Sequence, residues 1–185
     1  RVVLLAMRRG LKPELALESA EGLLAYLAYG LPEEVLREAS RLALLGEVPE
    51  AEGQALLPYA EDLLLERREG KLWFHPLVRS ALKTLLPEAE ARGLLTKAAE
   101  EALDRGEGIR AAEFLLEAGR LGHVADLLVQ EGFSWLARGL TYTVLRLLAH
   151  LPEALRQGRR ALDLLEAEAL RQAGRYQEAE AAYQK

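Results

Sequence analysis

The chain has 185 residues, half of them hydrophobic and 29% charged, a balance that excludes disorder and suffices for one large domain or two small ones. Cysteine is absent, which excludes a disulfide framework and a thiolate metal site and fits a reducing cytoplasm. The net charge of -5 argues against a general nucleic-acid surface, and no apolar run approaches the ~20 residues that span a bilayer.

Leu and Ala supply most of the apolar content, and β-branched residues are scarce, so helices dominate and a large sheet is not expected. Arg greatly outnumbers Lys and Asn is absent, a bias that fits a thermophile and equally a GC-rich genome. Arg1 stands where an initiator Met would, and no signal-peptide pattern follows, so the first helix is expected to begin inside a longer protein or after trimming.

In chain order, Ser19 and Gly22 precede the apolar run Leu23, Leu24, Leu27. Leu31-Pro32-Glu33-Glu34 is a helix start, with Pro in the first turn and two carboxylates at the positive end of the dipole. That helix carries Val35, Leu36, Ala39, Leu42 and Ala43 on one stripe and stops near Gly46. A third helix is expected from about Ala51 to Asp62. The apolar runs 63–66 and 71–74 flank Arg67-Arg68-Glu69-Gly70, which predicts a β-hairpin. Pro76 opens a helix through Leu86, and Pro87 ends it. Three helices, a two-stranded wing and a closing helix are the parts of a winged-helix domain, placed at 1–87.

Beyond Pro87 the predicted helices are 88–105, 109–118, 121–131, 133–139, 141–150, 154–173 and 176–185. Their turns are marked by Gly106-Glu107-Gly108, Gly119, Glu131-Gly132 and Gly174. Helix pairs at this spacing suggest a repeat array, with a helical arm over 88–153 and the start of a repeat domain over 154–185. The segment from Ala169 to Tyr183 looks like the middle of a tetratricopeptide repeat. Gly174 supplies its tight turn, Ala179 its close helix approach, and Tyr176 and Tyr183 belong to its packing set, Tyr183 filling the gap between neighbours. An array that stopped here would expose an apolar edge, so further repeats are expected to follow. The fold expected is mainly α: a winged helix with one hairpin, then a tetratricopeptide-like array.

No phosphate-cradling GxxxxGK[ST] loop and no GxSxG nucleophile elbow occurs. His75, His123 and His150 are far apart and show no ligand spacing. The carboxylates read as solvated helix faces, adjacent ones such as Glu100 and Glu101 pointing apart. No catalytic residue, metal or bound cofactor is therefore assigned within the chain. The expected third helix has no Lys or Arg and carries Glu52, Glu61 and Asp62, which disfavours base reading in a major groove. Arg67, Arg68 and Lys71 on the wing are interleaved with Glu66 and Glu69 and read as a solvated turn. Trp73 and Phe74 alternate across a strand, and Phe133 and Trp135 follow Gly132 on a short helix; packing is the role expected of both pairs.

The order of these elements resembles the regulatory signal-transduction ATPases with numerous domains, especially their bacterial maltose-regulon activator-like branch. Glu33-Glu34-Val35-Leu36-Arg37-Glu38 is similar to that family's entry to its winged helix, and Leu72-Trp73-Phe74-His75-Pro76-Leu77 to its aromatic–His motif. Ala111-Ala112-Glu113-Phe114-Leu115-Leu116-Glu117-Ala118-Gly119 resembles the helical arm, and Leu147-Leu148-Ala149-His150-Leu151-Pro152-Glu153 the junction before the repeats. The resemblance covers about Ala20 to Lys185.

It implies a non-catalytic fragment of a nucleotide-regulated protein, a transcriptional regulator whose winged helix packs on an upstream nucleotide-binding domain and does not touch DNA. ATP and ADP would belong to the full-length protein. His75 matches the family histidine that contacts the ADP β-phosphate, but Pro76 replaces the acid or second His common after it. His75 therefore either senses nucleotide or caps the helix opened by Pro76, with Phe74 and Leu77 buried. The repeats would bind a protein partner, another copy or a small inducer. A repeat scaffold without nucleotide control is the alternative.

Overall fold

The structure, a computed structural model, describes Leu27 and residues 30–184. The helix start expected at Ser19 and Gly22 lies outside the described residues. By its contacts the chain divides into two units, 1–94 and 95–185. The described residues are mainly helical, with one small antiparallel sheet, and none of their helices is long and apolar enough to cross a membrane.

In the first unit α1 (Glu33–Leu45) starts after Pro32, carries Glu33 and Glu34 in its first turn, and buries Ala39, Ser40, Leu42, Ala43 and Leu44. Buried Ser40 keeps its hydroxyl satisfied by donating to the Leu36 carbonyl at 2.8 Å, within its own helix. The helix ends at Gly46, whose φ of +86° turns the chain away. Arg79 donates through Nε to the Ala43 carbonyl at 2.8 Å, occupying an acceptor that the last turn of α1 cannot pair itself.

Three strands follow: β1 (Glu47–Pro49), β2 (Leu65–Arg68) and β3 (Lys71–Phe74), in sheet order β1-β3-β2 with both pairings antiparallel. The pairs Leu65↔Phe74 and Arg68↔Lys71 leave Glu69-Gly70 as a two-residue turn, with φ of 51° and 73°. The hairpin is thus two residues offset in its first strand from the expected 63–66. Leu63 is buried in the preceding turn, Leu64 turns the chain at φ 47°, and Arg67 and Arg68 lie on the strand instead of in the turn. Strand β1 was not expected. It is three residues long and ends in Pro49, and only its pairing with β3 defines it.

The continuous third helix expected over 51–62 is replaced by turns around a 3₁₀ helix, Gln54–Tyr59. Pro58 lies inside it, and a proline without an N–H cannot continue an α-helical ladder. Gly53 precedes it in close contact with the sheet: a Cβ there would lie 2.4 Å from Leu72 Cδ1. The core joins Leu42 and Ala43 of α1, Val48 and Phe74 of the sheet, Leu56, and Val78 and Leu82 of α2 (Pro76–Lys83).

Helix α3 (Glu88–Asp104) runs across the division between the units. The second unit continues with α4 (Gly108–Glu117), α5 (Leu121–Ala137), α6 (Thr141–Ala149), α7 (Glu153–Arg156), α8 (Arg160–Gln172) and α9 (Tyr176–Tyr183). Helix α4 packs on α5 and α6, α5 on α6 and α8, and α8 on α6 and α9, so α4 and α5 each touch the next long helix and the next but one. The turns repeat one device, seen clearly at Gly174. Its φ is +76°, its N–H donates to Arg171 O, and the Arg175 N–H reaches back to Leu170 O. This pair of bonds satisfies carbonyls the helix end would leave open, and only glycine enters the left-handed region without cost.

Two predicted breaks differ. The turn expected at Glu131-Gly132 is absent, and α5 runs unbroken to Ala137. Gly132 is instead a contact point, since a Cβ on it would lie 2.4 Å from Leu165 Cδ2 of α8. The single helix expected over 154–173 is two, because Gln157 is extended (ψ 127°) and Gly158 takes φ +76°. Arg156 of α7 is tied to Glu166 of α8 across that break.

Candidate functional site

His75 follows β3 directly. Its backbone N–H donates to Leu64 O at 3.3 Å, and its own carbonyl accepts from Arg79 N at 2.9 Å. The ring caps α2: Nδ1 accepts from the Leu77 N–H at 3.3 Å. A neutral ring capping in this way carries its proton on Nε2, which leaves one donor beyond the cap. His75 and Pro76 are exposed, and Trp73 and Leu77 beside them are 42% and 58% exposed. The expectation that Leu77 is buried with Phe74 is therefore corrected for Leu77. It occupies the first turn of α2, while the core side of that helix is formed by Val78, Ala81 and Leu82. Phe74 and Leu72 are buried, so β3 alternates as expected, with Trp73 on the outer face.

His123 and His150 are exposed and show no ligand spacing; His150 Nδ1 lies 2.7 Å from the Arg146 carbonyl of its own helix. Among the described residues no group of three or more His, Cys, Asp or Glu side chains could hold a metal ion.

In the second unit the repeat residues sit at the α8–α9 pair. Ala179 is buried, Gly174 makes the turn, Tyr176 is 69% exposed, and Tyr183 is half-exposed. Tyr183 lines an open depression of about 440 Å³ with Phe133, Leu136 and Ala137 of α5 and Leu164, Glu168 and Gln172 of α8. The three α8 residues recur every fourth position and so share one helix face. Their shared stripe was legible in the sequence, but Phe133 was assigned to packing on a separate short helix; it is 47% exposed, while Trp135 is buried.

The polar groups of this depression are satisfied among themselves. Arg171 gives Glu168 two hydrogen bonds, at 2.7 and 2.8 Å, and Gln172 Nε2 and the Tyr183 hydroxyl add two more at 3.0 and 3.2 Å. Thr141 Oγ1 donates to Gln172 Oε1 at 3.0 Å. Hydrogen bonds from Arg171 and then Gln172 hold the Glu168 carboxyl down to about 2. Glu107 and Glu178 are lowered in the same way by Arg105 and Arg175. In each case an arginine beside the carboxylate favours its charged form. No family model, curated protein or solved structure matches the chain.

Proposed function

We propose that this chain is the winged-helix and tetratricopeptide-like part of a nucleotide-regulated signal-transduction protein, a cytoplasmic transcriptional regulator, and that it carries no catalytic role. The winged-helix reading is supported by the path helix, strand, 3₁₀ turn, hairpin, helix and by the strand order β1-β3-β2. The repeat reading is supported by α4 and α5, which each touch the next long helix and the next but one, and by the glycine turn repeated between helices. Direct DNA reading is disfavoured because the segment in the recognition position, Gln54–Tyr59, is a 3₁₀ helix without Lys or Arg.

The observation that carries the nucleotide reading is the exposed His75, flanked by exposed Trp73 and Leu77 at the junction of wing and helix. Apolar side chains around a polar donor suit docking of an upstream nucleotide-binding domain, with His75 Nε2–H reaching an ADP phosphate. The full-length protein tests this. His75→Ala is expected to shorten ADP retention about tenfold, the loss of one hydrogen bond to a charged group, measured by release of a fluorescent ADP analogue. Retention equal to wild type would remove the sensor role. A repeat scaffold without nucleotide control is the second reading, favoured by the half-exposed Phe133, Leu164 and Tyr183 around the α5–α8–α9 depression, where a partner could seat.

A further inference from the structure

We propose that α3 is a two-part helix that opens over its first two turns, with Gly93 as the break point. Three observations meet there. Glycine in a helix interior has two ordinary reasons, a close neighbour or a positive φ, and Gly93 has neither: a Cβ on it would meet nothing within 4 Å, and its backbone is helical. Gly122 has similar open surroundings but lies in the first turn of α5, where a glycine costs little. Burial is the second observation. None of residues 88–94 is buried, whereas Leu95, Ala98, Ala99 and Ala102 are. Ion pairs seen on the first two turns, Arg37–Glu90 at 3.4 Å and Arg92–Glu88 at 2.5 Å, are on the surface, where such pairs contribute little. The third is position: the division of the chain's contacts falls between Leu94 and Leu95, two residues beyond Gly93.

A helix whose one half has buried residues and whose other half has none, its side chains exposed or half-buried, does not have one stability along its length. Glycine lowers the unburied half further relative to alanine. The result is a segment that unwinds and rewinds while 95–104 stays folded, a two-state element of the kind that switching proteins use.

Hydrogen exchange on the chain as it stands tests this. Amides of 91–96, which bond back to the carbonyls of 87–92, are expected to exchange through an opening that leaves amides of 99–104 protected. Gly93→Ala adds a methyl to open space, so the variant folds. It is expected to slow exchange of the first set about fivefold, the equivalent of about 1 kcal/mol, and to leave the second set unchanged. Tryptic cleavage after Arg92 should slow by a similar factor. One protection level along all of α3, or a Gly93→Ala effect that is absent or uniform over the helix, would overturn the proposal.

Discussion

Single atoms decide several features of this chain. Gly132 is one: the α5–α8 contact leaves no room for a methyl, because Leu165 Cδ2 sits 2.4 Å from where it would be. Gly132→Ala should destabilise the protein by about 1–3 kcal/mol in urea unfolding, the usual range for overpacking. Combined with Leu165→Ala, which by itself leaves a cavity, the same substitution should cost much less, because the new methyl then fills space. Additive losses in the double variant would show that the two helices are further apart than described. Glu168 is a second such residue. Its folded-state carboxyl sits near 2, below the ordinary 4.5, so its pairing stabilises the fold fully above about pH 4.5. The contribution fades as pH falls toward 2. Glu168→Gln should therefore lower the melting temperature at pH 7 and lower it much less at pH 2, where the carboxyl is about half protonated; an equal loss at both values would mean that the charge is not what matters.

At the scale of elements, the hairpin β2–β3 turns at two residues with positive φ, which is what a type I′ turn demands. Gly70 suits its place, but Glu69, a non-glycine at φ 51°, does not. Glu69→Asn should raise stability by a few tenths to about 1 kcal/mol, read as a higher melting temperature, since Asn tolerates the left-handed region better. An unchanged or lower value would place the turn in another conformation. The contrast between Gly174 and Gly132 belongs here too. Both look like punctuation in sequence. Gly174 ends a helix, with φ +76° and two backward hydrogen bonds, whereas Gly132 lies on the stripe of Val124, Leu128, Trp135 and Leu136 and continues it. The spacing of four between Val124, Leu128 and Gly132 was the available sign that the helix went on.

Across the whole molecule, the mainly helical content, the hairpin and several helix ends were readable from local chemistry. Pro32 with Glu33 and Glu34 opens α1, Pro76 opens α2, and the glycines at 106, 119 and 174 close their helices, because caps, dipoles and φ preferences act within a few residues. Strand β1 was not readable, since three residues ending in Pro49 become a strand only by pairing with β3. The exposure of Leu77 and Phe133 could not be read either. An apolar residue on a helix is buried only if another element arrives on that side, and periodicity does not say which do. The candidate sites divide the same way. His75 was legible as a cap because proline follows it, whereas the depression of α5, α8 and α9 joins residues 133 to 183, assembled only by the packing of three helices. What the chain's own sequence determined is where helices open at a proline and close at a glycine of positive φ, as at Pro32, Pro76 and Gly174, but not the break at Gly158 or the continuation through Gly132. What the tertiary structure alone decided is which faces meet: Gly132 against Leu165, β1 against β3, Thr141 against Gln172. Those contacts join residues distant along the chain, and their energies come from neighbours that no local pattern names.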